Sequence, residues 1–329
     1  MVERSLCVCH VDCLSVCLGS TPLVDITSLA SPKVAGVKVL GKCEFFNPGF
    51  SMKDRIVKNI FDKAEEAGLL RPGGTVVAAS SGNTGAAVAM LAAMRGYKAV
   101  ITTSPKCSDE KIATIKAYGA EIIVSPSGLS DDHPSSYMNI ARTLAAQNEG
   151  WFDVNQYDNL DNPEGHYRTL GPEIWSQTVG RVTHFVAGGS TGGTISGTGR
   201  FLKSKNPDIK CVLADPYGSI FHEYFVSQKL VQPKKFLVEG VGKGSIPGCM
   251  DFSLIDDVVQ VRDEDAFHIC HELARTEGLM VGGSAGLNTW AAIQIANELQ
   301  VCYVAREQGQ TPVRCSKESL LFSHCFFSR

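Results

Sequence analysis

Lys53 stands in the segment NPGFSMKDRI, directly before a run in which Ile56, Ile60, Phe61 and Ala64 recur at helical spacing. Most lysines are solvated surface residues. Here the NPG turn and the position near a helix start aim the amine into a loop region rather than along a helix face. Three further segments carry residue types that grip anions: SSGNTG at 80–85, GSTGG at 189–193 and GGSAG at 282–286. Loops of this kind present unpaired backbone N–H groups and the positive end of a helix dipole. Serine and threonine at a helix start also serve as ordinary caps, so one such loop would carry little weight. Three in one chain carry more.

The elements that must position these residues share one design. In each of Thr75 to Met94, His184 to Leu202 and Leu279 to Leu299, an apolar run leads into a Gly/Ser/Thr loop that opens directly into a helical pattern. TVVAA precedes SSGNTG and AAVAMLAAM follows it, with alanines that favour helix; HFVAG, GSTGG and TISGTGRFL repeat the arrangement. From about Val37 onward, β-branched runs alternate with helical patterns, which predicts a largely parallel sheet flanked by helices. The chain has 329 residues, 44% of them hydrophobic, enough for two lobes with a core each or for one large α/β unit. Two lobes would leave a cleft between them.

The familiar nucleotide motifs are missing. GxxxxGK[ST] is absent and no GxGxxG opens a helix after a strand, so ATP and NAD lose ground. What remains is a glycine-rich cradle without a lysine and a lysine at the entrance to another helix. That combination suits a phosphorylated cofactor bonded to the lysine, although spacing alone is weak support. The formal net charge is -3 with the signs interspersed, so neither nucleic acid nor a membrane surface is expected as partner. The longest clean apolar run, Ala86 to Met94, is far short of the ~20 residues that cross a bilayer.

Twelve cysteines invite a disulfide reading, but those at 43, 107, 211, 249 and 270 are scattered singly through a large chain, which fits a reducing compartment. Cys7, Cys9, His10, Cys13 and Cys17 crowd the start, yet no second ligand pair follows at zinc-site spacing and no metal is expected. Glu3 offsets Arg4, and His10 and Asp12 interrupt the apolar stretch, so the start does not read as a signal peptide. The expectation is a cytoplasmic protein.

NPGFSMKDRI, SSGNTG, GSTGGTISG, EGVGKGSIP and EGLMVGGSAG occur in the order seen in the cysteine synthase and cystathionine β-synthase family, and the resemblance runs from about Gly19 to Asn297. It implies a two-lobed, three-layer α/β/α fold with largely parallel sheets, of the tryptophan synthase β-subunit type, binding pyridoxal phosphate. The implied division is 1–18 as an atypical Cys-rich segment, 19–46 and 156–300 as the larger cofactor-binding lobe, 47–155 as a smaller mobile lobe, and 301–329 as an atypical tail. Lys53 would be the lysine bonded to the cofactor and later the base at Cα, while Ser190, Thr191, Gly192, Gly193 and Thr194 would hold the phosphate. Asn83 matches the residue at the cofactor's ring hydroxyl, and Ser284 the serine at the pyridine nitrogen. Ser80, Ser81, Gly82 and Thr84 match the loop that grips the substrate carboxylate, assisted by Gln156.

The implied activity is β-replacement: a serine-type amino acid loses its β-substituent and gains a thiol, with water kept out. The family also implies a homodimer acting on small amino acid and thiol substrates. Asp215, Pro216, Gly218 and Ser219 in DPYGSI, Tyr157 after Gln156, and GGSAG resemble cystathionine β-synthase more than O-acetylserine sulfhydrylase. Tyr157 is either a hydrogen-bond donor to substrate or an interface tyrosine. Other positions depart from the pattern. Phe50 stands where the family has glycine and is expected to narrow the substrate entrance, and Ser190 also replaces a glycine. After the helix ending near Leu299 only VCYV resembles the strand the family has there. A missing strand would expose a sheet edge, and on that ground a catalytically impaired relative that binds a partner is the competing reading.

Overall fold

In the computed structural model the described residues are 17–30, 36–80, 82–105, 107–129, 133–307 and 319–324. The cysteine-rich start up to residue 16 and Ser81 lie outside them. Two sheets are formed. Among the described residues the chain runs from β1 (Leu23–Asp25) to β2 (Val37–Lys42) and α1 (Lys53–Glu66). Next come β3 (Thr75–Ala79), α2 (Asn83–Arg95), β4 (Lys98–Thr103), α3 (Asp109–Ala117), β5 (Glu121–Val124), α4 (Tyr137–Gln147) and β6 (Trp151–Asp153). The remainder is α5 (Asp161–Arg168), α6 (Leu170–Gln177), β7 (Val182–Gly188), α7 (Gly193–Lys205), β8 (Lys210–Pro216), α8 (Phe221–Ser227), β9 (Asp257–Val261), α9 (Asp263–Thr276), α10 (Gly283–Glu307) and β10 (Ser319–His324).

The four-stranded sheet runs β5-β4-β3-β6 and is parallel throughout; the six-stranded sheet runs β1-β2-β10-β7-β8-β9 and only β1 is antiparallel to its neighbour. Each sheet is covered on both faces, as parallel sheets require, and strand alternation sorts the side chains between them. In β3, Val76 and Ala78 pack with Ile56, Ile60 and Phe61 of α1 and Leu91 of α2, while Val77 faces Ala141 of α4. In the larger sheet Val186, Val212 and Ala214 pack with Leu273 of α9 and Leu287 of α10. Phe185, Ala187 and Leu213 turn the other way, onto Ile174 of α6 and Ile195 and Leu202 of α7. The fold is therefore the expected three-layer α/β/α arrangement with largely parallel sheets.

The tail departs from expectation. VCYV is not a strand: α10 continues through it to Glu307, since no glycine or proline interrupts the chain between Leu287 and Glu307. The strand comes later, as β10, which pairs in parallel with both β2 and β7. The position in the sheet where an open edge was expected is thus filled from within the tail, by the apolar run SLLFSH.

Candidate active site

Lys53 is the first residue of α1, and the turn before it is tightly tied. The Phe50 amide donates to the Asn47 carbonyl at 2.8 Å, the Gly49 amide to Asp54 Oδ2 at 2.6 Å, and the Lys53 amide to Ser51 Oγ at 3.2 Å. A Cβ at Gly49 would overlap the Asp54 carboxylate, so this turn closes only on glycine. Lys53 itself is 9% exposed, and that burial pushes its ammonium down to about 8 from the usual 10.5. Burial likewise pushes the neighbouring Asp54 up to about 7. Phe50 sits in the left-handed region at φ 60° and is 61% exposed, so its ring stands largely in solvent.

Behind Lys53, Arg55 anchors the first turn of α1 to the larger sheet. Its guanidinium meets Glu44 at 2.6 and 2.7 Å and Glu173 of α6 at 2.7 and 2.8 Å, both bidentately. Lys42 of β2 donates to Glu173 at 2.8 Å, and Thr21 and Asn47 complete the shell of Glu44 at 2.5 and 3.0 Å. Burial works against the Arg55 charge, but the two glutamates outweigh it and its pKa rises.

The asparagine loop joins β3 to α2. Ser80 is buried, and its Oγ accepts from the amides of Gly82 at 3.2 Å and Gly85 at 3.0 Å, so the hydroxyl shapes the loop from inside. Asn83 opens α2 and is half-buried. Thr84 Oγ1 donates to Gln156 Oε1 at 2.7 Å, and Gln156 Nε2 donates to the Ala79 carbonyl at 2.7 Å. Gln156 thereby clamps both ends of the loop.

The glycine-rich loop joins β7 to α7. Gly192 adopts φ 83°, and a Cβ there would lie 2.5 Å from Met250 Cα; one at Gly193 would overlap Asn162 Oδ1. Both positions demand glycine, which leaves bare backbone N–H groups at the start of a 13-residue helix, where an anion is favoured. Thr191 Oγ1 accepts from Asn162 Nδ2 at 3.0 Å, and Ser190 is half-buried just ahead of it. Thr194 Oγ1 lies 3.1 Å from Met52 Sδ and 3.1 Å from His166 Nε2. The Met52 contact brings this loop to the residue beside Lys53. A glycine cradle for a phosphate and a buried amine of depressed pKa fit a phosphorylated aldehyde.

The family model for pyridoxal-phosphate dependent enzymes matches residues 14–302. The chain belongs to that family. Cystathionine β-synthase of Apis mellifera is 42% identical over 284 residues, covering 86% of this chain and 56% of the relative. Cysteine synthase 1 of Neurospora crassa is 39% identical over 291 residues, covering 87% of this chain and 77% of the relative. Among solved structures, O-ureido-L-serine synthase superposes with a TM-score of 0.82 at 32% identity, covering 95% of this chain and 90% of that one. A hydrogen sulfide-producing enzyme of Fusobacterium nucleatum gives 0.81 at 30% identity, covering 95% and 97%. The chain spans about half the length of the cystathionine β-synthase relatives it matches.

Within this pyridoxal-phosphate dependent enzyme, Ser284 is buried in the first turn of α10. That turn packs on the end of β7, since a Cβ at Gly188 would lie 3.6 Å from Leu287. Tyr157 is half-buried; its hydroxyl is 3.3 Å from that of Tyr137 on α4, and Lys243 lies 4.4 Å above its ring. Three contributors were not anticipated. Asn162 and His166 stand four residues apart on α5 and both reach threonines of the glycine-rich loop. Lys111 of α3 lies 3.6 Å from where a Gly82 Cβ would be and pairs with Glu239 at 2.5 Å. The i, i+4 pair of polar residues in DNPEGH was the one available signal for the first two. Lys111 looked like any surface lysine. Among the described residues no group of histidine, cysteine and acidic side chains could hold a metal, and no helix is long and apolar enough to cross a membrane.

Proposed function

We propose that this enzyme performs β-replacement on serine or an activated serine with a thiol acceptor, as a cystathionine β-synthase-like enzyme of cysteine and transsulfuration metabolism. The observation that carries the reading is the convergence at Met52: the glycine-rich loop touches the residue beside a buried lysine whose ammonium is held near 8. In this reading Lys53 Nζ bonds to pyridoxal phosphate, and the α7 loop holds the phosphate through the amides of Ser190 to Thr194 and the hydroxyls of Thr191 and Thr194. Asn83 would hold the ring hydroxyl and Ser284 the ring nitrogen, where a neutral hydroxyl would leave that nitrogen largely unprotonated. When bound, the cofactor supplies an electron-accepting ring that stabilises negative charge at the substrate Cα.

The loop of Ser80, Ser81, Gly82 and Thr84 would hold the substrate carboxylate, with the Ser80 hydroxyl and Gln156 fixing its shape. Lys53 would accept the Cα proton at Nζ; its lowered pKa keeps a useful fraction neutral near pH 8. Tyr157 faces the leaving group or the incoming amino acid. The segment 47–155 acts as the smaller lobe and closes over bound substrate, with 19–46 and 156–300 as the larger one. Cys43, Cys107, Cys211, Cys249 and Cys270 are free thiols, which supports a reducing, cytoplasmic setting. We further propose a homodimer.

O-acetylserine sulfhydrylase activity is the second reading, favoured by the 39% identity to the Neurospora cysteine synthase. The impaired-relative reading loses its ground, because the tail supplies β10 to the sheet. A visible spectrum taken before and after L-serine or O-acetylserine, and again after homocysteine or sulfide, tests the proposal. A band that shifts with the amino acid and returns with the thiol is expected, and the pair that works identifies the activity. Lys53→Ala should lose the bound cofactor and nearly all turnover; unchanged activity would sink the assignment.

A further inference from the structure

Asn162, the second residue of α5, is fully buried, yet nothing in the proposed chemistry employs it. Its Nδ2 donates to the Gln156 carbonyl at 2.7 Å and to Thr191 Oγ1 at 3.0 Å. The carbonyl can only accept, so the amide cannot be reversed. Thr191 Oγ1 also accepts from the Gly193 amide at 3.3 Å. With both lone pairs engaged, the Thr191 hydroxyl has only its proton left to offer a ligand. Meanwhile Asn162 Oδ1 is buried with no hydrogen-bond partner. A core amide that leaves its oxygen unsatisfied calls for a reason, and here the reason is its NH2 end.

That end completes a continuous path. Thr84 of the asparagine loop bonds the Gln156 side chain, the Gln156 carbonyl accepts from Asn162, and Asn162 donates to Thr191 of the glycine-rich loop. Every link is buried, where hydrogen bonds are least screened. Thr84 and Thr191 belong to different sheets' helix-opening loops, and Asn162 is the side chain that joins them.

We infer that Asn162 is a positioning residue coupling the two loops, so that filling the phosphate loop alters the grip of the asparagine loop on the amino acid, and the reverse. This rests on the proposed function. L-serine is titrated into the cofactor-loaded wild type, Asn162→Ala, Thr191→Val, Thr191→Ser and the Asn162→Ala/Thr191→Val double variant, with phosphorus NMR of the bound cofactor before and after.

Asn162→Ala and Thr191→Val are each expected to weaken L-serine binding about tenfold, although neither residue faces the amino acid. The double variant should be no weaker than either single one, the sign of one shared pathway, and Thr191→Ser should bind as wild type does. The phosphorus resonance should move on adding L-serine in wild type and Thr191→Ser, and stay still in the other three. Unchanged L-serine affinity in Asn162→Ala, or losses that multiply in the double variant, would overturn the coupling while leaving the cofactor reading intact. A wild type that takes up no pyridoxal phosphate would overturn both. If Asn162→Ala does not fold by circular dichroism, Thr191→Val decides alone: wild-type affinity there overturns the coupling.

Discussion

Replacing Lys53 with methionine should stabilise the cofactor-free protein at neutral pH while abolishing its chemistry. The ammonium of Lys53 falls from 10.5 to about 8 because it is buried. In the unfolded chain the amine is charged up to pH 10.5; in the folded protein it is neutral above about 8. Between those values the unfolded state binds the extra proton, so stability rises with pH across that window. Below about pH 8 the full penalty applies. The shift corresponds to about 3 kcal/mol at pH 7, declining to about 2 kcal/mol at pH 9 and close to nothing near pH 10.5. Methionine fills a similar volume and carries no charge to bury, so the variant escapes that penalty. Urea unfolding of both apoproteins at pH 7 and pH 9 measures the difference, in which titrations common to both cancel. A Lys53→Met apoprotein less stable than wild type at pH 7, or an advantage that does not shrink by pH 9, would refute the burial argument and with it the basis for a reactive amine.

Other consequences follow from the same contacts. Arg55→Ala removes the guanidinium from the buried Glu44 and should cost about 3–5 kcal/mol by urea unfolding, whereas removing the half-exposed Lys58–Asp62 pair should cost under about 1 kcal/mol. Thr194→Val should weaken pyridoxal phosphate retention about tenfold in equilibrium dialysis, with Thr194→Ser close to wild type, because only the valine lacks the hydroxyl between Met52 and His166. Gly193→Ala pushes a methyl into Asn162 Oδ1 and should lower the melting temperature measurably and abolish cofactor uptake; Gly96→Ala, at positive φ but in open space, should leave uptake intact.

The strand, loop and helix units were legible because the hydrophobic period changes from two to 3.6 at each loop: Val76 and Val77 point to opposite faces of β3, and Ala87, Val88 and Leu91 share the core face of α2. The turn before Lys53 and the glycine-rich loop were legible for a different reason, since Gly49, Gly192 and Gly193 are residues the local geometry demands. Asn162 was not. It lies in DNPEGHYR, a short polar segment that reads as a surface loop, and its partners are six and 29 residues away in sequence. The same distance hid the anchor of α1, where Arg55 reaches Glu173 across 118 residues. VCYV misled because an isolated apolar run of four fits a strand or a helix equally, and the absence of a preceding breaker decides for helix.

The position of Arg55 has a consequence for how the site can work. The body of α1, through Ile56, Ile60 and Phe61, is part of the core of the four-stranded sheet, but its first turn is pinned to β2 and α6 of the other sheet by a buried network of two glutamates, an arginine and a lysine. Breaking that network would strand charges in the interior, at a cost larger than a loop closure returns. If the segment 47–155 closes as proposed, a motion that spares this network would have to pivot about the turn that carries Lys53. The amine would then move little relative to the glycine-rich loop, while the asparagine loop, at the other end of the same core, would move further. The Lys111–Glu239 pair, which links α3 to the loop before β9 beside Gly82, is a contact that such a motion would make or break. On that proposal the lysine lies near the axis of closure, because the buried charges beside it are the contacts that cost most to separate.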